Sequence, residues 1–256
     1  MLSQKEIDNF FQNGYLIVET NIDLAILNNV IKEMEKIYSG LYSNPPSPGS
    51  RIQELWKDSI SAKHLAQFPG ILSMLNQLYK RKPLPFQTLN FRTGTQQAMH
   101  SDTIHFNSFP NNFMCGVWIA LEDIDDENGP VCYCPGSHKL PEYNMQDVGE
   151  GKTHENYEHY EEFIRNYIYD NKLITELATI KKGEAIIWHG NLLHGGYSHK
   201  NRSRTRYSQV THYYFEGCRY YTPLLSTPDK IHYRKPDWIE YVFIDSLMVK
   251  AKCLLP

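Results

Sequence analysis

The chain has 256 residues and a nearly balanced charge, with 26 Lys and Arg against 29 Asp and Glu. This balance gives little electrostatic support for a nucleic-acid or membrane-surface partner, so we expect a small-molecule partner. No apolar run reaches the roughly 18 to 20 residues that span a bilayer, and the first residues do not have the pattern of a secretory signal, which together predict a cytoplasmic protein.

The chain is predicted to begin with helices that pack on a sheet. Ser3 and Glu6 form a capping-box pattern ahead of apolar residues at helical spacing, and Gly14 ends this first helix. A short strand is predicted at 15–18. Apolar residues then recur at intervals of three and four over 24–37, as an amphipathic helix requires.

The next stretch mixes loop and helix signals. Residues 43–50 combine three prolines and a glycine with serines, which is typical of a loop and makes this stretch a candidate flap or a simple connector. From 51 to 80 the pattern is helical in pieces, and Pro69 stands in the first turn of the last piece.

After Lys82 the pattern changes to short, β-rich runs separated by turns. The predicted strands are 86–92, 98–102, 113–121, 131–133, 173–180, 185–188, 193–197 and 207–215. Short strands of this kind, preceded by packing helices, indicate a closed or double-sheet β architecture, a jelly roll.

We predict one domain over residues 1–256. Its parts are a helical portion at about 1–82, a β core at about 84–216 and a C-terminal extension at 217–256. A charged stretch rich in Tyr and His, 139–171, interrupts the strands and is predicted to be helical from about residue 154. This insertion is either a lid over a site or a solvated excursion.

The triplet His100-Ser101-Asp102 is the first candidate site. If 98–102 is a strand, alternation places His100 and Asp102 on the same face. An imidazole and a carboxylate placed in this way can hold two adjacent positions of a divalent metal. A histidine from a distant strand would complete the 2-His-1-carboxylate arrangement of non-haem Fe(II) oxygenases. A lone triplet is weak evidence, and an ordinary polar strand is the alternative.

Residues 183–196 have the form of a turn, an apolar strand, a short break, and then His194 followed by two glycines. Glycines at such a point let backbone or a ligand approach closely. Twelve residues after His194 comes Arg206, at the head of the predicted strand 207–215. We expect that strand to run beside the one that carries His194 and to aim the guanidinium into the same cavity.

Over about residues 3–216 the chain resembles the phytanoyl-CoA dioxygenase (PhyH-like) family of Fe(II)- and 2-oxoglutarate-dependent oxygenases. The motifs that carry the resemblance are His100-Ser101-Asp102, Trp118 within 116–121, Asn128-Gly129-Pro130, Pro135-Gly136-Ser137-His138, and His194-Gly195-Gly196 followed by Asn201 and Arg206. The resemblance implies a mainly β fold with flanking helices and a double-stranded β-helix (jelly-roll, cupin-like) core.

The resemblance also implies that His100, Asp102 and His194 bind Fe(II). It implies that Arg206 anchors the distal carboxylate of 2-oxoglutarate, which suits a planar guanidinium that pairs bidentately with carboxylates. Arg204 has the same strand parity and is the rival anchor. We prefer Arg206 because it stands six residues before His212, and this spacing matches the family's final strand.

Weaker assignments follow from the same resemblance. Trp118 corresponds to a residue that lines the co-substrate pocket, although an ordinary core role is nearly as well supported. Gln87 or Thr88, on the strand before the metal ligands, falls near another co-substrate contact. At the position of Gly196 the family often has a serine or another polar residue, so one contact to the co-substrate is expected to be missing here.

Other polar residues have two interpretations. His105 and His189 either contact the substrate directly or form structural hydrogen bonds, and His138, in a turn motif, is expected to be structural. The basic residues at 200–204 either indicate an anionic substrate or belong to a solvated loop.

We therefore predict a dioxygenase that uses Fe(II) and 2-oxoglutarate to hydroxylate a small organic substrate, with dioxygen consumed and succinate and CO2 released. Because Asp102 is present, the vacancy that halogenase relatives use for a halide is absent, which favours hydroxylation. The alternatives are a cupin-type metal-dependent isomerase or lyase and a non-catalytic ligand-binding barrel. The sequence indicates neither the identity of the substrate nor the oligomeric state.

Overall fold

In the computed structural model, which describes residues 1–41, 51–149, 154–227 and 229–240, two β-sheets face each other and helices cover the outer side of the larger one. The α-helices are α1 Gln4–Asn13, α2 Leu24–Leu41, α3 Ile60–Ala66, α4 Pro69–Tyr79 and α5 Tyr157–Asp170. The strands are β1 Tyr15–Glu19, β2 Arg51–Gln53, β3 Pro83–Phe91, β4 Asn107–Phe109, β5 Met114–Ala120, β6 Val131–Tyr133, β7 Glu176–Leu177, β8 Glu184–His189, β9 His194–Gly196, β10 Ser208–Phe215 and β11 Arg219–Tyr221.

The first helix forms as its sequence predicts. The backbone N–H of Ser3 donates to the Glu6 carboxylate at 2.7 Å, and the Glu6 N–H donates back to the Ser3 hydroxyl at 3.3 Å, which completes the capping box. Gly14 ends the helix with a φ of +81°, a conformation that glycine adopts without strain. This turn delivers the chain into β1 at the edge of the larger sheet.

The larger sheet has the strand order β1-β8-β5-β10-β3-β2, and the smaller one has the order β7-β6-β9. All pairs between these strands are antiparallel. In β5, Val117 and Ile119 face the helices, whereas Trp118 and Ala120 face the smaller sheet. Both faces of the larger sheet are therefore buried, and the interior between the sheets is available for a site.

The predicted strand 98–102 is wrong. Only His100 pairs, through an isolated antiparallel bridge to His194, and Asp102–Ile104 forms a 3-10 turn. The reason is visible in the backbone hydrogen bonds, because the Asp102 carbonyl accepts from the N–H groups of His105 and Phe106, which curls the chain away from the sheet.

The predicted neighbour of the Arg206 strand is also wrong. β10, which follows Arg206, lies between β5 and β3 in the larger sheet, whereas His194 begins β9 in the smaller sheet. The two residues therefore approach the interior from facing sheets instead of from neighbouring strands. The sequence pattern predicts the strands but not their pairing order, since connections in a jelly roll cross between the two sheets.

Smaller differences concern the extents of elements. The predicted strand 173–180 shrinks to Glu176–Leu177, and Arg51–Gln53, placed in a helical stretch, is an edge strand. The helix predicted within the insertion is confirmed as α5. The candidate flap at 43–50 and the extension beyond residue 240 lie outside the described residues. Within the described ranges, no helix combines the length and the apolar character that crossing a membrane requires.

Candidate metal centre

His100, Asp102 and His194 converge between the two sheets. The Nε2 atoms of both histidines lie 3.8 Å from Oδ1 of Asp102. One ligand atom from each of the three residues lies within 4.8 Å of the other two, and all three side chains are buried. Atoms 3.8 Å apart can each approach one ion to the roughly 2.1 Å typical of metal–imidazole bonds. The three residues therefore match the facial arrangement of a 2-His-1-carboxylate site.

Backbone carbonyls fix which nitrogen of each histidine can bind a metal. Nδ1 of His100 lies 2.9 Å from the carbonyl of Ala98, and Nδ1 of His194 lies 2.9 Å from the carbonyl of Leu192. Because a carbonyl only accepts, each Nδ1 carries a hydrogen, which leaves Nε2 of each ring, facing Asp102, as the atom that can bind a metal. Burial, with the neighbouring His194, lowers the pKa of His100 to about 3, so that ring is neutral.

The carboxylate of Asp102 is oriented by two residues that the sequence analysis missed. The indole N–H of Trp188 donates to Oδ2 at 2.7 Å, and Nε2 of His212 lies 3.6 Å from the same oxygen. Oδ1 is left for a metal. Burial would raise the pKa of Asp102, but His194 and His212 lower it below its usual value, so the group is an anion.

Strand alternation identifies Trp188 and His212 as inward-facing residues once the order of the strands in the sheet is known. Trp188 shares a face of β8 with Ile186, and His212 shares a face of β10 with Val210; both of these apolar residues lie between the sheets. The sequence does not say which face points inward, so this signal becomes usable only once the sheet order is known.

Trp188→Phe is expected to weaken Fe(II) binding by roughly 10- to 100-fold, the usual effect of removing a hydrogen-bond donor from a metal ligand. The ring stays apolar and buried, but the N–H that holds Oδ2 is lost. The dissociation constant is measured by competition with a chelator. Trp56→Phe is the matched control, because its indole N–H donates to Glu54 outside the cavity. Equal Fe(II) affinity in the two folded variants would contradict the assigned role of Trp188.

The triad opens into a cavity of about 550 Å³ between the sheets, which Arg206 and Trp118 also line. Arg206 is 2% exposed, and its guanidinium carbon lies 5.3 Å from the ring centres of Phe91 and Trp118. Its Nη1 donates to Ser208, but its Nε and the Trp118 Nε1 are buried without a hydrogen-bond partner. Burial lowers the pKa of Arg206 to about 10, which leaves it charged at neutral pH.

The other residues considered for binding the co-substrate differ in whether they line the cavity. Arg204 donates to both oxygens of Asp125 at 2.8 Å and does not line the cavity. Gln87 lines the cavity and lies 3.0 Å from Nδ1 of His212. Thr88, the next residue along β3, faces the opposite side of the sheet, where its hydroxyl accepts from the backbone N–H of Trp56. The structure thus brings Gln87, but not Thr88, to the site.

Gly196 has no room for a side chain. A Cβ there would lie 2.7 Å from the backbone nitrogen of Gln96 and 2.8 Å from the hydroxyl oxygen of Thr95. Thr95 lines the cavity, so its hydroxyl occupies the space that a polar side chain at 196 would take. The cavity wall beside Gly196 therefore carries a polar group that comes from a different loop.

The remaining histidines divide between cavity and scaffold. His105 lines the cavity, and its Nε2 lies 3.2 Å from the hydroxyl of Tyr157 in the insertion helix α5. His138 and His189 lie outside this cavity: Nε2 of His138 bonds to the Phe11 carbonyl, and Nδ1 of His189 accepts from the Asn191 N–H. Those two form structural hydrogen bonds.

His189 is expected to make the protein less stable in mild acid. Burial, with the neighbouring His138, lowers its pKa from 6.5 to about 3. The unfolded chain therefore binds a proton that the folded one excludes, and stability falls as the pH drops below about 6.5. His189→Asn, which keeps an acceptor for Asn191, should lose about 2 kcal/mol less than the native chain between pH 7 and 5, by urea unfolding. An identical pH dependence in both proteins would contradict this.

The family model described as phytanoyl-CoA dioxygenase (PhyH) matches residues 10–207, which is most of the chain. The chain belongs to the phytanoyl-CoA dioxygenase family. This membership confirms the predicted family and the predicted class of enzyme, a dioxygenase.

Two curated members of the family show how low the sequence identity to this chain is. A probable phytanoyl-CoA dioxygenase of Caenorhabditis elegans is 24% identical over 233 residues, which cover 85% of this chain and 70% of the worm protein. The peroxisomal phytanoyl-CoA dioxygenase of Rattus norvegicus is 27% identical over 158 residues, 59% of this chain and 42% of the rat protein. The match therefore spans less than half of the rat protein.

Two solved structures share the fold. The epimerase SnoN, in complex with Fe3+, alpha-ketoglutarate and nogalamycin RO, superposes with a TM-score of 0.68 at 16% identity, over 93% of this chain and 98% of SnoN. EctD from S. alaskensis with bound Fe has a TM-score of 0.67 at 19% identity, over 89% and 82%. The predicted jelly-roll core is confirmed. The predicted cofactors, iron and 2-oxoglutarate, are present in these and related crystal structures.

Proposed function

We propose that this protein is an Fe(II)- and 2-oxoglutarate-dependent dioxygenase that hydroxylates a small organic substrate. One observation carries the proposal: a buried 2-His-1-carboxylate triad shares a single cavity with a buried arginine whose Nε has no partner. The triad fits a metal ion, and the buried arginine fits a carboxylate. A dicarboxylate that also binds the metal would satisfy both at once.

The triad would hold the metal through Nε2 of His100, Nε2 of His194 and Oδ1 of Asp102. The donor set fits iron, because two neutral imidazoles and one carboxylate leave three of six octahedral positions for other ligands. The carbonyls behind each Nδ1 and the Trp188 N–H behind Oδ2 keep the three donors aimed at one point.

Arg206 would hold the distal carboxylate of 2-oxoglutarate. The unpartnered Nε of Arg206 and the unpartnered Nε1 of Trp118 are donors buried in the same cavity, and a carboxylate would satisfy both. Gln87 and the Thr95 hydroxyl are further polar groups on the cavity wall that this co-substrate would meet. These roles are proposals that rest on geometry and on the family resemblance.

Bound iron and 2-oxoglutarate would supply the oxidation, in which dioxygen converts 2-oxoglutarate to succinate and CO2 and a substrate C–H bond becomes C–OH. The protein's own contribution is to position that bond and to exclude water. Tyr160 of α5 supports this arrangement, since its hydroxyl lies 3.4 Å from both the backbone nitrogen and the hydroxyl of Ser101, between two of the ligands. The insertion thus buttresses the loop that carries the triad.

Arg206 argues against one of the two alternatives, and succinate release separates the other. A cupin-type isomerase or lyase that uses the same triad without a 2-oxo acid has no need for a buried guanidinium whose Nε has no partner, because such a group is costly to bury. A ligand-binding barrel without activity would bind 2-oxoglutarate but release no succinate.

The test is reconstitution with Fe(II) under anaerobic conditions, followed by calorimetry with 2-oxoglutarate and then by exposure to air with a panel of small metabolites. We expect 2-oxoglutarate to bind only in the presence of the metal, and at least one metabolite to stimulate succinate release in step with oxygen uptake. A chelator should abolish both signals. Native protein that fails to bind 2-oxoglutarate with Fe(II) present would refute the proposal.

A further inference from the structure

Two more arginines line the cavity, on different segments from Arg206. Arg51 begins β2 at the edge of the larger sheet and is exposed, and Arg234 lies in the C-terminal segment and is half-buried. His105 lines the same cavity, and its ring lies 6.5 Å from that of His100. Both guanidinium groups therefore border the cavity that contains the metal centre.

Arg234 is held in place by neutral groups. Its Nη1 donates to the Thr222 hydroxyl at 3.0 Å, and its guanidinium carbon lies 4.8 Å from the centre of the Phe106 ring. Its backbone N–H donates to the Tyr220 carbonyl at 2.8 Å, which ties the segment to β11. The Nε of Arg234 is buried without a partner. This guanidinium is pre-oriented, yet no anion among the described residues satisfies it.

The charges on the cavity wall do not balance. Among the described lining residues the only carboxylate is Asp102, and the metal would engage it. Arg206 would be neutralised by 2-oxoglutarate, which leaves Arg51 and Arg234 without a counter-charge from the lining residues that the structure describes. The basic run at 200–204 gives no comparable signal, because Lys200 lies 2.7 Å from Asp126 and Arg204 pairs with Asp125. The charges that indicate an anionic substrate are therefore those on the cavity wall, not those in the loop.

We propose that the substrate is a small anion, whose carboxylate or phosphate group is bound by Arg234 with help from Arg51. This assignment rests on the proposed function and adds the chemical class of the substrate. Phe106, Leu224 and Leu225 line the same cavity and would contact the apolar part of the molecule. A cavity of about 550 Å³ falls in the range of roughly 300 to 1,000 Å³ typical of small-molecule sites and must also contain the co-substrate, so the substrate is small.

The experiment compares matched probes that differ in charge. Fe(II)-loaded protein, kept anaerobic and saturated with 2-oxoglutarate so that Arg206 is engaged, is titrated by calorimetry with benzoate, phenyl phosphate and neutral benzamide. We expect at least one anion to bind at least ten-fold more tightly than benzamide. Arg234→Gln should weaken that anion at least ten-fold and Arg51→Gln by a smaller factor, with benzamide unchanged. The anion that loses more identifies a carboxylate or a phosphate site.

Three controls make the result decisive. Arg204→Gln, outside the cavity, should bind all probes as the native chain does, and Arg234→Lys, which keeps the charge without the planar fork, should lie between the native chain and Arg234→Gln. Both Arg234 variants should bind 2-oxoglutarate within two-fold of the native value. The proposal is overturned if neither anion binds the native protein better than benzamide, if the preference survives Arg51→Gln combined with Arg234→Gln, or if Arg234→Gln loses 2-oxoglutarate.

Failure of the proposed function would look different. In that case the native protein would not bind 2-oxoglutarate with Fe(II) at all. The same probes, titrated without the co-substrate against Arg206→Met and against Arg206→Met combined with Arg234→Gln, would still report whether Arg234 selects anions.

Discussion

Asp102→Ala is expected to abolish Fe(II)-dependent turnover of 2-oxoglutarate. Both histidine Nε2 atoms lie 3.8 Å from the same Asp102 oxygen, so this carboxylate is the centre of the ligand set. Its removal leaves two neutral imidazoles and no negative charge to offset a divalent cation. The loss of Fe(II) affinity should therefore exceed the roughly 10- to 100-fold that removal of an outer-shell partner causes.

The measurement is Fe(II) affinity by chelator competition, together with succinate release. Asp102→Asn keeps the shape and the acceptor for Trp188 but removes the charge, so it should lose metal affinity while the fold persists. Asp125→Ala is the matched control, because Asp125 is a half-buried partner of Arg204 away from the cavity. Turnover of 2-oxoglutarate at the native rate in Asp102→Ala would contradict the assignment of Asp102 as a metal ligand.

The convergence of the three candidate ligands was predictable from the sequence, although the local structure assumed for them was wrong. His100 and Asp102 do not lie on one strand, and a 3-10 turn at Asp102 brings the carboxylate round to the histidines. The decisive link is the bridge in which His100 and His194 exchange two backbone hydrogen bonds of 2.9 Å. Chemistry and spacing identify which residues can bind a metal, whereas this pairing of distant segments depends on the whole fold.

The residues that sequence reasoning missed share one property: no local motif marks them. Trp188 and His212 reach Asp102 only because β8 and β10 present those faces to the interior. Arg51 and Arg234 lie far from the triad in the chain, and each meets the cavity through tertiary packing. Helices with caps and apolar periodicity, such as α1, were predictable because their signals are local. The single-domain organisation and the cytoplasmic location stay predictions.

Arg206→Lys is expected to raise the apparent KM for 2-oxoglutarate at least about ten-fold with a smaller change in kcat. A lysine keeps the charge but loses the planar fork that matches a carboxylate. Arg206→Met removes the charge as well, and loss of one partner of a buried charge pair costs roughly 2–5 kcal/mol, or about 30-fold to several thousand-fold in affinity.

Stability gives a second, independent readout for Arg206. Arg206 is 2% exposed and its Nε has no hydrogen-bond partner, which is costly for a cation. Arg206→Met without co-substrate should therefore unfold at the same or a higher temperature than the native chain, while the gain in melting temperature that 2-oxoglutarate gives the native protein should vanish. Arg204→Lys, the control, should keep that gain. If instead Arg206→Lys has an unchanged KM and Arg204→Lys a raised one, the anchor is Arg204, despite its pairing with Asp125.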